Sequence, residues 1–158
     1  KDKKFSSQSV RDWVVSRFAT HGVCAKRLIF EGSSPRTEYL ACYNHIDIAL
    51  SPFPYGGGTT SAEGLWMGVP VITKRGNHFL SHLGESIAHN AGLSDWIAVD
   101  EANYVAKAIK FSSNVDKLAA LRANLREQVL YSPLFDALRF ANHFEQAAWK
   151  MRRTLDQK

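Results

Sequence analysis

Cysteine is scarce in this chain: Cys24 and Cys42 are the only two, and they do not form a CxxC pair. Two thiols cannot build a disulfide framework, and a structural zinc site calls for more ligands than they supply. Both are therefore expected to be small, partly buried residues in a reducing compartment. The six histidines are scattered, no Asp-x-Asp pair accompanies them, and no metal is expected. Apolar runs are only a few residues long, against the roughly 20 that a membrane helix requires. There is no charged segment followed by an apolar stretch and a small-residue cleavage site, and the opening Lys1-Asp2-Lys3-Lys4 is solvated charge. No membrane partner is expected, and the expected location is cytoplasmic. The chain also lacks a concentrated basic strip. Its net charge is +5, but the Lys and Arg residues are spread out in small groups such as Lys74-Arg75 and Arg152-Arg153. Nucleic-acid modules gather such residues on one face; charge alone does not decide the partner, and the expectation is that it is not a nucleic acid. A modest positive charge suits an anionic diphosphate equally well.

What is present is the material of a globular core. Of 158 residues, 45% are hydrophobic and 22% charged, with nine Phe and four Trp, which fits one domain of about 150 residues. Val10, Trp13, Val14 and Phe18 recur at helical spacing over 9–20, and Gly22 closes that helix. Arg27–Glu31 reads as a short strand stopped by Gly32-Ser33-Ser34-Pro35, and Pro35 opens a helix reaching Asn44. A second strand, Ile46–Leu50, ends at Ser51-Pro52-Phe53-Pro54. A loop, Tyr55–Thr60, leads into a helix carrying Leu65, Trp66 and Met67, which Gly68 terminates. Strands follow at 70–73 and 96–99, separated by a helix over 81–90. Asp100 is a fitting N-cap for the next helix, and helices over 103–111, 115–129 and 138–155 complete the chain. Short apolar strands alternating with helices define an α/β layered fold with a Rossmann-like parallel sheet flanked by helices. Such a fold binds its ligand beyond the carboxyl ends of the strands.

The glycine-rich loop falls there. Gly56-Gly57-Gly58 lets the backbone turn and approach a ligand with no Cβ in the way. Thr59 and Thr60 stand at a helix N-terminus, where free N–H groups and the helix dipole attract phosphate. Glu63, a turn further on, can accept bonds from sugar hydroxyls. No Lys follows the glycines as in a Walker loop, and the spacing is not GxGxxG. Taken by themselves, the three glycines equally fit a flexible loop and the threonines a plain cap. Trp13 and Trp66 read as core packing, His78 and His82 as surface residues, and Lys74 and Arg75 as strand-end cations within reach of a phosphate.

The longer context is more specific. The stretch from Ile46 to Thr73, with its Asp-Ile-Ala-Leu strand, Gly-Gly-Thr-Thr loop and Glu-Gly-Leu-Trp-Met-Gly-Val-Pro helix end, resembles bacterial homologues of O-linked N-acetylglucosamine transferase. The likeness extends upstream through Phe30–Tyr39 and downstream to Ser132–Phe135. These are inverting, metal-independent transferases of the GT-B fold, often preceded by tetratricopeptide repeats. The resemblance implies that this chain is part of the C-terminal, donor-binding domain of a larger GT-B enzyme. It implies that Gly57, Gly58, Thr59 and Thr60 cradle the donor diphosphate, that Glu63 binds the ribose, and that Ser34, Arg36 and Tyr39 frame the base. Animal enzymes carry His where this chain has Gly58.

The same resemblance implies a UDP-N-acetylglucosamine donor, a protein Ser/Thr acceptor engaged through domains outside this chain, no other cofactor, and no catalytic residue among these 158. UDP-glucose, GDP-fucose or a non-catalytic nucleotide-binding remnant are the alternatives. With the family's first strands absent, Arg27–Glu31 is expected to pair directly with Ile46–Leu50 in a four-stranded parallel sheet, and a homodimer through a sheet edge is the second expectation.

Overall fold

The computed structural model describes residues 1–155. The chain forms two compact units, the first ending at Cys42 and the second beginning at Tyr43.

In the first unit, helix α1 (Gln8–Ala19) ends near Gly22, whose φ of 75° is the left-handed conformation that glycine adopts at low cost. Helix α2 (Arg36–Ala41) follows Pro35 and continues into a 3-10 turn, Cys42–His45. The rings of Phe5 and Phe30 meet at 5.1 Å. Two expectations fail here. Trp13 is not core: it is 63% exposed, because α1 buries none of its residues fully. Cys24 is exposed rather than partly buried, while Cys42 is half-buried as expected.

The expected strand at Arg27–Glu31 does not form either. Ala25–Arg27 is a 3-10 turn, closed by bonds from Arg27 N to Cys24 O and from Leu28 N to Ala25 O. The residues beyond it are extended, with a backbone bond from Asp2 N to Glu31 O at 3.0 Å, and Ile29 is 86% exposed. A β-type sequence becomes a strand only when a partner takes up its N–H and C=O groups. The direct pairing with Ile46–Leu50 is thus ruled out: among the described residues the sheet has three strands, and none comes from Arg27–Glu31.

The second unit holds that sheet. Strands β1 (Ala49–Leu50), β2 (Val71–Lys74) and β3 (Ile97–Ala98) lie in the order β1-β2-β3, parallel throughout, with Ala49 opposite Val71 and Thr73 opposite Ile97. Helix α3 (Thr59–Trp66) makes the first crossover and α4 (Leu83–Asn90) lies in the second. Helices α5 (Glu101–Ser112), α6 (Val115–Leu130) and α7 (Ala137–Leu155) follow.

The strands are shorter than their apolar runs for local reasons. β2 begins only after Pro70, so β1 has no ladder partner for residues before Ala49, and Asp47 instead meets Arg122 in an ion pair. The Val99 N–H turns to the side-chain oxygen of Asn103 at 3.2 Å, ending β3. Asp100 caps α5 as expected, accepting from Asn103 N at 2.7 Å. Gly68, φ 76°, ends α3.

The core fills the space between sheet and helices. Leu65, Val69, Ile72, Leu125 and Val129 are buried to 1% exposure or less, each contributing about 1.5–3 kcal/mol of apolar burial. Trp96 stacks on Phe111 at 4.1 Å. Trp66 is half-buried against Phe135 at 5.3 Å, in keeping with its expected packing role. No helix among the described residues is long and apolar enough to cross a membrane.

Candidate functional site

The carboxyl end of β1 runs through Ser51 into the glycine loop, and the loop delivers the chain to the first turn of α3. Ser61 N and Ala62 N both bond to Gly58 O, at 3.0 and 3.2 Å. Thr59 and Thr60 are the first two helical positions, and N–H groups there have no carbonyl one turn behind them. Their side chains are exposed. The result is a pair of hydroxyls and a set of backbone donors at the positive end of a helix, beyond the strand ends, which is the arrangement that receives phosphate.

Gly57 is the fixed point of the loop. Its N–H donates to Ser51 Oγ at 3.1 Å and its carbonyl accepts from Ser61 Oγ at 2.9 Å. Ser51 and Ser61 are 4% and 5% exposed, so both hydroxyls are committed to shaping the turn. A Cβ on Gly57 would stand 2.6 Å from Thr60 Oγ1 and 2.8 Å from Ser61 Oγ, closer than real atoms approach. Tyr43 adds a bond from its hydroxyl to Thr60 O at 3.1 Å. Neither serine figured among the candidate residues. The signal was present in Ser51 immediately after the strand and Ser61 immediately after the Thr pair.

Of the residues assigned from sequence, Gly57, Gly58, Thr59, Thr60 and Glu63 come together in one loop and two helical turns, with Glu63 half-buried. Ser34, Arg36 and Tyr39 belong to the first unit. There Ser34 Oγ accepts from Lys1 Nζ at 2.6 Å, and Tyr39 has Lys1 and Arg36 each 5.7 Å from its ring centre.

Several charged groups stand at the carboxyl end of β2. Lys74 Nζ lies 4.4 Å above the Phe53 ring and 3.6 Å from Glu101. Arg75 and His82 converge on Glu85. The hydrogen bond to His82, and then those from Arg75, hold the Glu85 carboxyl below its ordinary range against the opposing effect of burial. His78 and His82 are four residues apart, the spacing that an α-helix uses to bring two imidazoles together. The stretch is instead a 3-10 turn with His78 at its N-cap, and no group of three His, Cys, Asp or Glu among the described residues is arranged to hold a metal ion. Two cavities lie away from the loop. One of about 600 Å³ is lined by Asp47, Met67, Val115 and Arg122, and one of about 330 Å³ by Trp96, Phe111, Asn114 and Lys117. In the glycine loop Gly56, Gly57 and Gly58 are half-buried, and Thr59 and Thr60 beyond them are exposed.

Three parallel strands, crossover helices and a glycine loop entering a helix beyond the strand ends make a Rossmann-like layer. Comparison with known proteins agrees. The sequence profile of glycosyl transferase family 41 matches residues 7–144, and the chain belongs to that family. It is 39% identical over 108 residues to the SPINDLY protein of Solanum lycopersicum, covering 68% of this chain and 12% of that one. It is 36% identical over 146 residues to SPINDLY of Eustoma exaltatum subsp. russellianum, covering 92% and 16%. Both are named as probable UDP-N-acetylglucosamine–peptide N-acetylglucosaminyltransferases. A mutant O-GlcNAc transferase of Thermobaculum terrenum superposes with a TM-score of 0.87 at 32% identity, over 95% of this chain and 29% of that one. The chain thus spans under a third of each of these proteins.

Proposed function

We propose that this chain is the donor-binding part of an inverting protein O-glycosyltransferase that moves N-acetylglucosamine from UDP to Ser or Thr hydroxyls. The observation that carries the proposal is the turn at Gly57, held by two buried serines so that Thr59, Thr60 and the start of α3 stand open beyond the strand ends. As the glycosidic bond to the anomeric carbon breaks, negative charge grows on the departing diphosphate. Preorganised donors at Thr59 and Thr60 stabilise that charge without reorganising. Glu63 holds the ribose. No metal is required in this scheme, because N–H and hydroxyl groups take the place of a cation on the phosphates.

The acceptor hydroxyl must be aligned with the anomeric carbon, and nothing in this chain is assigned to that task. The chain alone is therefore proposed to bind the donor without turning it over. The supporting names belong to proteins several times longer, and they speak for the donor class rather than for each contact.

Calorimetric titration of the chain with UDP, GDP and ADP, each with and without EDTA, tests the proposal. UDP is expected to bind best and to be indifferent to EDTA. Preference for GDP would redirect the donor to GDP-fucose, binding that depends on manganese would contradict the metal-free scheme, and no binding of any nucleotide would end the proposal.

A further inference from the structure

Arg75 stands one residue beyond β2, on the side of the sheet that carries the glycine loop. Side chains alternate along a strand. Val71 packs against Gly64 of α3 and Thr73 against Gly84 of α4, with Thr73 Oγ1 only 2.2 Å from where a Cβ on Gly84 would be. Lys74 points the other way, to Phe53 and Glu101. Arg75 therefore continues the row of Val71 and Thr73, about 7 Å further along the strand direction. Helix α3 runs back against the strands, as a parallel crossover requires. Ser61, Thr73 and Gly84 line one small void, and Ser61 Oγ donates to Gly57 O at 2.9 Å, which ties the glycine loop to the layer of Thr73 and Gly84. The two sides of that layer also touch: Leu83, beside Gly84, has its Cδ2 3.0 Å from where a Cβ on Gly58 would be.

The guanidinium in this layer is not loose. Glu85 Oε1 accepts from Arg75 Nε at 2.8 Å and lies 2.7 Å from Nη2. Its Oε2 lies 2.7 Å from His82 Nδ1. Glu85 is itself 12% exposed, while the side chains of Arg75 and His82 are about half exposed. The Arg75 backbone is pinned as well, its N–H donating to Ala98 O at 2.8 Å. Among the described residues these bonds occupy the Nε and Nη2 edge of the guanidinium and leave Nη1 for an incoming acceptor. An arginine fixed in this way has lost its rotamer freedom before any ligand arrives, and its planar fork suits phosphate oxygens.

We propose that Arg75 is a ligand of the donor diphosphate, and that Glu85, assisted by His82, is the residue that positions it. The inference rests on the reading of the glycine loop as a diphosphate site and adds a cation to it.

Titration of UDP and uridine against the wild-type chain, Arg75→Ala, Arg75→Lys and Glu85→Gln tests it, with thermal unfolding as the check on folding. Arg75→Ala is expected to weaken UDP about tenfold, the loss of one charge-assisted phosphate contact, to flatten the salt dependence of binding, and to leave uridine unchanged. Arg75→Lys should restore part of the loss, and Glu85→Gln should weaken UDP by about threefold through a less ordered guanidinium. Equal UDP affinity in folded wild type and Arg75→Ala would overturn the proposal, as would a parallel loss for uridine, which marks a purely structural role. Should Arg75→Ala not fold, full UDP affinity in Arg75→Gln overturns it equally. A loss of UDP binding in Thr59→Val with Thr60→Val but not in the Arg75 variants would refute Arg75 alone. No UDP binding by wild type would refute the diphosphate site and this inference together.

Discussion

The Tyr104 hydroxyl, in the first turn of α5, donates to the carbonyl oxygen of Ser51 at the root of the glycine loop, 2.9 Å away. Ser51 thereby serves two partners: its carbonyl receives Tyr104 and its hydroxyl receives Gly57 N. The Tyr104 ring also meets Phe53 edge-on at 5.2 Å. A helix late in the chain thus fixes the start of the turn that α3 completes.

Removing that hydroxyl leaves a buried acceptor without its donor. Tyr104→Phe is expected to cost about 1–3 kcal/mol, read from urea unfolding. Its pH dependence has a definite sign. Burial raises the pKa of the Tyr104 phenol, so the native state holds this proton more tightly than the unfolded state. The stability it contributes is complete below the ordinary tyrosine value of about 10 and is lost as pH rises beyond it. The gap between wild type and Tyr104→Phe should therefore narrow above pH ~10. A gap that widened there would contradict the burial account.

Thr59→Val combined with Thr60→Val keeps the size of both side chains and removes both hydroxyls from the helix start. If each donates to phosphate, UDP affinity falls by roughly 1.5–3 kcal/mol per lost bond, measured by calorimetry on protein that unfolds at the wild-type temperature. Unchanged affinity would remove these two residues from the site.

Glu85 gives the opposite pH signature. Its carboxyl is held low, first by the bond to His82 and then by Arg75, so its contribution to stability is present above the ordinary glutamate value of about 4.3 and is lost as pH falls. Glu85→Gln should be less stable than wild type at neutral pH and should approach it in acid. A constant difference from pH 7 to pH 3 would show that the carboxylate charge plays no part.

The helices were legible from sequence because their signals are local: Asp100 as a cap, Gly22 and Gly68 as stops, and apolar spacing over 115–129 all act within a few residues. The glycine loop was legible for the same reason. Arg27–Glu31 was misread because strand formation depends on a partner, and a β-type run carries no record of whether one exists. Trp13 was misplaced because spacing shows that a helix has an apolar side but not that something covers it. Ser51, Ser61 and Glu85 were missed because their roles come from contacts across the chain, such as Glu85 with Arg75 ten positions away. The expected base-framing residues came from resemblance alone, without a spacing rule that would single them out.

The shape of the loop makes a graded prediction about its glycines. A Cβ on Gly57 would press on Thr60 Oγ1 at 2.6 Å and on Ser61 Oγ at 2.8 Å, whereas one on Gly56 would meet Ser51 Oγ at 3.2 Å. Thr60 can rotate away, but then its hydroxyl leaves the helix start. Ser61 is buried and bonded to Gly57 O, so its movement breaks the bond that closes the turn. Gly57→Ala is therefore expected to cost about 1–3 kcal/mol and to weaken UDP as well, while Gly56→Ala costs less in both measurements. Thermal unfolding and UDP titration of the two variants side by side decide the matter. If Gly56→Ala proves the more damaging, the crowding at Thr60 and Ser61 is not what requires glycine in this turn.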